Sequence, residues 1–113
     1  MYCQMISNKI VMAVKSAKRQ ALKSQHIYRI GAVCLRNRKI VGYGFNQSKI
    51  HANLFRNYGF YSLHSEVASL LGTHGADTLI VVRVAKNGSL TCSRPCEKCM
   101  KYLTDYGIKR VYF

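Results

Sequence analysis

Leu63-His64-Ser65-Glu66 and Ser93-Arg94-Pro95-Cys96-Glu97-Lys98-Cys99 carry the residues whose types and spacing can do chemistry. Two cysteines separated by two residues can turn both thiolates toward one soft divalent ion, and a distant histidine can supply a third ligand from another element. A fourth position then stays open. An open position separates catalytic from structural zinc, because water bound there is acidified from about 15.7 toward about 7. Glu66 follows His64 by two residues. If both lie in the first turn of a helix, the carboxylate stands beside that water without ligating the metal, where a proton shuttle is needed.

H-x-E followed by P-C-x-x-C resembles the signature of the zinc-dependent cytidine deaminase superfamily, of the CMP/dCMP deaminase type. C-x-x-C alone is shared with redox motifs and zinc ribbons, whereas both halves in this order, with the proline, are far more specific. The resemblance implies Zn2+ on His64, Cys96 and Cys99, and hydrolytic deamination of cytosine to uracil. Glu66 would take the water's proton and deliver protons to N3 and to the departing amino group. The backbone of Ser65, and of Arg94 just before Pro95, would hold the base edge. Arginine at 94 is a departure, since relatives commonly place a small or acidic residue there; its side chain could reach a phosphate. Asn46, after the glycine-flanked Gly42-Tyr43-Gly44-Phe45, matches the asparagine that contacts the sugar. It equally suits a turn residue.

The chain of 113 residues carries a formal charge of +14, with 18 lysines and arginines against four acids, and no acid precedes Glu66. Such a field attracts polyanions in a salt-dependent way. A solvated basic surface is the plainer reading, but a free nucleotide needs only one or two cationic contacts. Lys49 and Arg56, interleaved with Tyr58 and Tyr61 in the stretch entering the metal motif, are the candidates for holding phosphates and stacking bases. Phe55, Phe60 and Leu63 could instead pin that stretch to a core.

The length suits one domain over residues 1–113. No basic leader with a cleavage site is evident, and no stretch approaches the roughly 18 apolar residues of a membrane span, so a cytoplasmic, membrane-free protein is expected. Of the five cysteines, Cys3, Cys34 and Cys92 are left as free thiols.

Apolar periodicity predicts a helix from about Gln4 to Ser24, with Ile6, Ile10, Val14, Ala17 and Ala21 as its stripe and Val11, Met12 and Leu22 widening it. Lys15, Arg19 and Lys23 form a ridge whose like charges repel weakly. Ile30–Leu35 and Ile40–Phe45 read as a hairpin, and Gly42 and Gly44 as a bulge or close backbone approach. Residues 46–62 read as a loop. His64 to Leu71 reads as the metal helix, with Val67, Leu70 and Leu71 inward and Gly72 as its stop. His74 reads as a turn residue. Thr78–Val84 reads as the most buried strand, and Ser89–Thr91 as a short return. A second metal helix runs from Cys96 to about Tyr106, with Met100 and Leu103 inward; its start favours thiolates. The last strand, Ile108–Phe113, is left as an edge. A helix between two parallel strands is a βαβ unit. The fold class is therefore α/β, a three-layer α/β/α domain with a central mixed sheet; the resemblance implies a cytidine deaminase-like fold, here expected without the family's usual C-terminal extension.

Three functions compete. The first is deamination of cytosine in single-stranded nucleic acid, DNA ahead of RNA. The second is a deoxycytidylate-type enzyme on free cytidine nucleotides, which the run Tyr106–Tyr112 also resembles; adenosine deamination in transfer RNA shares the motifs, with little here to select adenine. In the third, Cys92 joins His64, Cys96 and Cys99 in a closed structural site and the protein only binds nucleic acid. Glu66 argues against the last, because a structural site has no use for it.

Overall fold

Asn37 and Arg38 both adopt left-handed backbone angles, φ 50° and 70°, which closes a two-residue turn between β2 (Arg29–Arg36) and β3 (Lys39–Phe45). Positive φ at both central positions matches the right-handed twist of the paired strands. In this computed structural model, which describes residues 2–4, 11–49 and 52–113, the hairpin is one end of a six-stranded sheet. β4 (Thr78–Val84) pairs antiparallel with β2 and parallel with β6 (Arg110–Tyr112), and β1 (Tyr2–Gln4) runs parallel beyond β6. The order is β1-β6-β4-β2-β3, with β5 (Leu90–Thr91) paired antiparallel to the end of β4. α4 (Glu97–Tyr106) makes the β4–β6 crossover.

β2 and β4 carry apolar residues on both faces because both are covered. On one side Val33, Leu35, Ile80 and Val82 pack against Ala13, Val14 and Ala17 of α1 (Val11–Ala21). On the other, Ala32, Cys34, Leu79 and Val81 meet Leu70 of α3 (Ser65–Leu70) and Leu103 of α4. The expected three layers and mixed sheet are therefore present.

Four expectations need correction. Gln4 lies in a strand rather than at a helix start, and Ile6 and Ile10 fall outside the described residues. β6 is not an edge, because β1 pairs with it; a three-residue strand has no period to read and is fixed by backbone register alone. Val11, Met12 and Leu22 are exposed, and so is Leu71. The buried stripe of α1 is made of small residues because the helix lies against β2 so closely that a Cβ on Gly31 would sit 2.1 Å from the carbonyl oxygen of Ala17. Finally, α2 (Ala52–Tyr58) occupies part of the expected loop; seven residues with Leu54 buried are too short for a periodic stripe.

Candidate active site

His64 is the N-cap residue of α3, with extended backbone (φ −76°, ψ 150°), and its side chain makes no capping bond. The imidazole is thereby free to turn sideways. Its ring packs edge-on against buried Phe60, with centroids 4.9 Å apart. Nδ1 lies 3.2 Å from Sγ of Cys99 and 3.6 Å from Sγ of Cys96. Cys96 is the N-cap of α4, where its sulfur accepts from the backbone N–H of Cys99. Pro95 stands one residue before that cap, so its missing donor costs the helix nothing.

The three ligand atoms lie within 4.8 Å of one another. A tetrahedral zinc with bonds of about 2.3 Å to sulfur and about 2.0–2.1 Å to nitrogen separates N and S by about 3.6 Å. The triad is therefore already close to a zinc-sized spacing, with a soft donor set of one nitrogen and two sulfurs. Burial, and then the nearby Glu66 and Cys96, push the Cys99 thiol well up. The helix start acts against that shift, and so would a cation held by the triad, since a thiol ligates as the thiolate. Cys92 is exposed and is not part of the cluster.

Glu66 is only 5% exposed, and its Oε1 accepts a 2.6 Å bond from the Ser65 hydroxyl. What holds α3 here is close contact with β3. A Cβ on Gly44 would come within 2.4 Å of Ser69 N and 2.6 Å of Ser65 O, and one on Gly42 within 2.1 Å of Ser69 O. The expected close approach is real, and a bulge lies opposite Cys34 and Leu35. Gly44→Ala is accordingly expected to push α3 off the strand and destabilise the fold by about 1–3 kcal/mol. A thermal melt checks this, and an unchanged midpoint would show that the contact does not hold the helix.

A cleft of about 410 Å³ opens over this corner. Its wall includes Ser62, His64, Ser65, Glu66, Arg94 and Cys96, and its rim His26, Ile27 and Tyr28. Asn46 also lines it, but both ends of its carboxamide are engaged: Oδ1 accepts from Ile30 N at 3.0 Å, and Nδ2 donates to Tyr28 O at 2.6 Å. Asn46 thus holds the rim segment in place. It keeps one N–H and one lone pair for a ligand.

The candidates divide as follows. His64, Ser65, Glu66, Asn46, Arg94 and Cys96 share the cleft, and Cys99 lies behind it, fully buried. Pro95 is buried and does not line the cleft. Lys49 and Arg56 are exposed and line neither the cleft nor its neighbouring recess. Tyr58 is turned inward, its hydroxyl donating 2.7 Å to Asp105, which with partial burial pushes its pKa up to about 12. That tyrosine ties α2 to α4 and is not a free stacking surface. Tyr61 is exposed and lines the recess. Sequence reading missed Tyr28 and Lys98; Tyr28 belongs to no motif and is brought to the site by the start of β2, and Lys98 fills a variable position of the P-C-x-x-C motif, whose pattern assigns it no role.

The model of the cytidine and deoxycytidylate deaminase zinc-binding region matches residues 4–113, nearly the whole chain. The chain belongs to that family. No curated protein sequence is significantly similar to this deaminase. Among solved structures, the dCMP deaminase from cyanophage S-TIM5 in apo form superposes with TM-score 0.66 at 23% identity, covering 95% of this chain and 84% of that one. The cytidine deaminase from Mycobacterium tuberculosis gives TM-score 0.66 at 21% identity, covering 95% and 85%, and that from Mycobacterium leprae 0.63 at 19%, covering 94% and 87%. At these identities the likeness establishes the fold. Family membership makes the protein a zinc-dependent deaminase, and among the described residues no helix is long and apolar enough to cross a membrane.

Proposed function

We propose that this deaminase hydrolyses the 4-amino group of cytosine presented on a single nucleic-acid strand, with His64, Cys96 and Cys99 as the zinc ligands and Glu66 as the proton carrier. The observation that carries the chemistry is the placement of a buried carboxylate, Glu66, in the lining of the same cleft as His64 and Cys96. Zinc, when bound, acts as a Lewis acid that acidifies water. Glu66 accepts a first proton from the attacking water and passes it to ring N3, then takes the remaining proton from the new C4 hydroxyl and passes it to the amino group, so that the C4–N bond breaks, ammonia leaves and uracil remains. The Ser65 hydroxyl donates to Glu66 Oε1 and orients the carboxylate. Backbone groups at Ser65 and Arg94, both lining the cleft, hold the base edge, and Asn46 offers its spare amide hydrogen to the sugar.

The strand reading is supported by the charge of +14, far beyond what one phosphate requires, and by Arg94, whose exposed side chain stands at the cleft. A free-nucleotide reading has its own support, since the structurally similar cyanophage enzyme is a dCMP deaminase described in complex with dCMP and dUMP. Uracil formation from equal cytosine concentrations supplied as dCMP, CMP, single-stranded DNA, duplex DNA and RNA separates the two. Single strands are expected to be turned over best, with DNA ahead of RNA. Binding to single strands is expected to weaken steeply with salt, each neutralised phosphate adding about 0.7 to the slope of log affinity on log salt. Efficient turnover of dCMP with weak, salt-independent oligonucleotide binding would replace this reading with the nucleotide enzyme.

A further inference from the structure

Two concavities meet at the metal ligands. Ser62, His64 and Cys96 line the cleft and also a second recess of about 460 Å³, which adds Tyr61, Glu97 and Lys98 to its wall. Glu66 belongs to the cleft alone, so the reacting ring has to enter there. A single nucleoside in the cleft leaves the recess open to whatever is attached to it.

The recess is built for something flat with one negative charge nearby. Tyr61 is 78% exposed, yet its ring is held: Phe55 meets it edge-on with centroids 5.4 Å apart, and Nζ of Lys98 lies 5.4 Å from its centroid. Lys98 is itself held in place, donating a 2.8 Å bond to Gly59 O. A largely exposed ring with an ammonium over it suits a base stacked on the remaining ring surface, with its phosphodiester toward that ammonium. Glu97 in the same wall opposes a bare, doubly charged phosphate more than a singly charged diester.

We propose that this recess is a subsite for the nucleotide joined by one phosphodiester to the reacting cytidine, with its base on Tyr61 and the bridging phosphate toward Lys98. The proposal rests on the cytosine deamination argued above and makes at least a dinucleotide the unit that the site recognises.

The test compares kcat/KM of the zinc-loaded protein on deoxycytidine, dCMP, d(ApC) and d(CpA). One of the two dinucleotides is expected to exceed dCMP by roughly 5- to 150-fold, the range that base–aromatic stacking gives. That ratio should collapse in Tyr61→Ala, survive in Tyr61→Trp and fall by a smaller factor in Lys98→Gln, which removes the ammonium charge. Zinc content and melting temperature establish that each variant is folded; should Tyr61→Ala lose its zinc, the Trp and Gln variants decide. Equal values for dCMP and both dinucleotides overturn the subsite, as does a ratio that survives Tyr61→Ala in zinc-replete protein. A step from deoxycytidine to dCMP with none beyond it makes the recess a phosphate site and also overturns the proposal. Absence of uracil from every substrate would instead overturn the deamination reading itself.

Discussion

Replacing Glu66 with glutamine is expected to leave the fold and the bound zinc in place while lowering kcat by roughly 10²- to 10⁴-fold or more, the range for removing a positioned proton carrier. The carboxylate is buried on α3, whose position is set by the contact with Gly42 and Gly44, and none of the three clustered ligand atoms belongs to it. Glutamine has the same shape and can still accept the Ser65 hydroxyl bond through its carbonyl oxygen. It cannot accept a proton from water. The loss should therefore fall on the chemical step, with kcat reduced and KM little changed. Steady-state kinetics together with metal analysis make the check. Turnover within about tenfold of wild type, in zinc-replete protein, would remove Glu66 from the assigned role.

The parts of this site that were legible in the sequence are those fixed by short-range geometry. His64 and Glu66 sit two residues apart at one helix start, and Cys96 and Cys99 three apart at another, so each pair converges once its helix forms. The long β-branched run of β4 and the hairpin of β2 and β3 were legible for the same reason, since a continuous β-branched run and a short polar connector are local signals. What was not legible depends on register between distant segments. β1 is found by pairing with β6, over a hundred residues away in sequence. Tyr58 reads as a free aromatic until Asp105, on another helix, is seen to hold its hydroxyl. Asn46 reads as a sugar ligand or a turn residue, and the structure makes it the clamp between the hairpin's end and the cleft rim. Charge was legible in amount, and in placement only at Arg94, inside the metal motif. Lys49 and Arg56 stand away from the cleft, whereas Arg94 and Lys98, beside the metal cysteines, stand at it or at the adjoining recess.

Substitution of any one of His64, Cys96 or Cys99 is expected to release the zinc, whereas Cys92→Ser retains it. The triad supplies three ligand atoms, and removing one leaves two, too few to hold the ion against solvent. The three variants should not behave alike in stability. Cys96 is exposed, so Cys96→Ser removes a ligand with little packing change and is the cleanest probe of the metal itself. Cys99 is fully buried in a cluster with Leu54, Phe60, Leu63 and Val67, so its replacement with serine also puts a hydroxyl into an apolar wall. Because zinc binding to a preformed set of ligands is coupled to folding, chelation of the wild type should lower its melting temperature and leave that of Cys96→Ser unchanged. Metal analysis after gel filtration, with melts before and after chelator, reads both effects. If Cys92→Ser lost zinc as completely as Cys96→Ser, the site would be a closed set of four ligands, and the open position on which the deaminase chemistry depends would not exist.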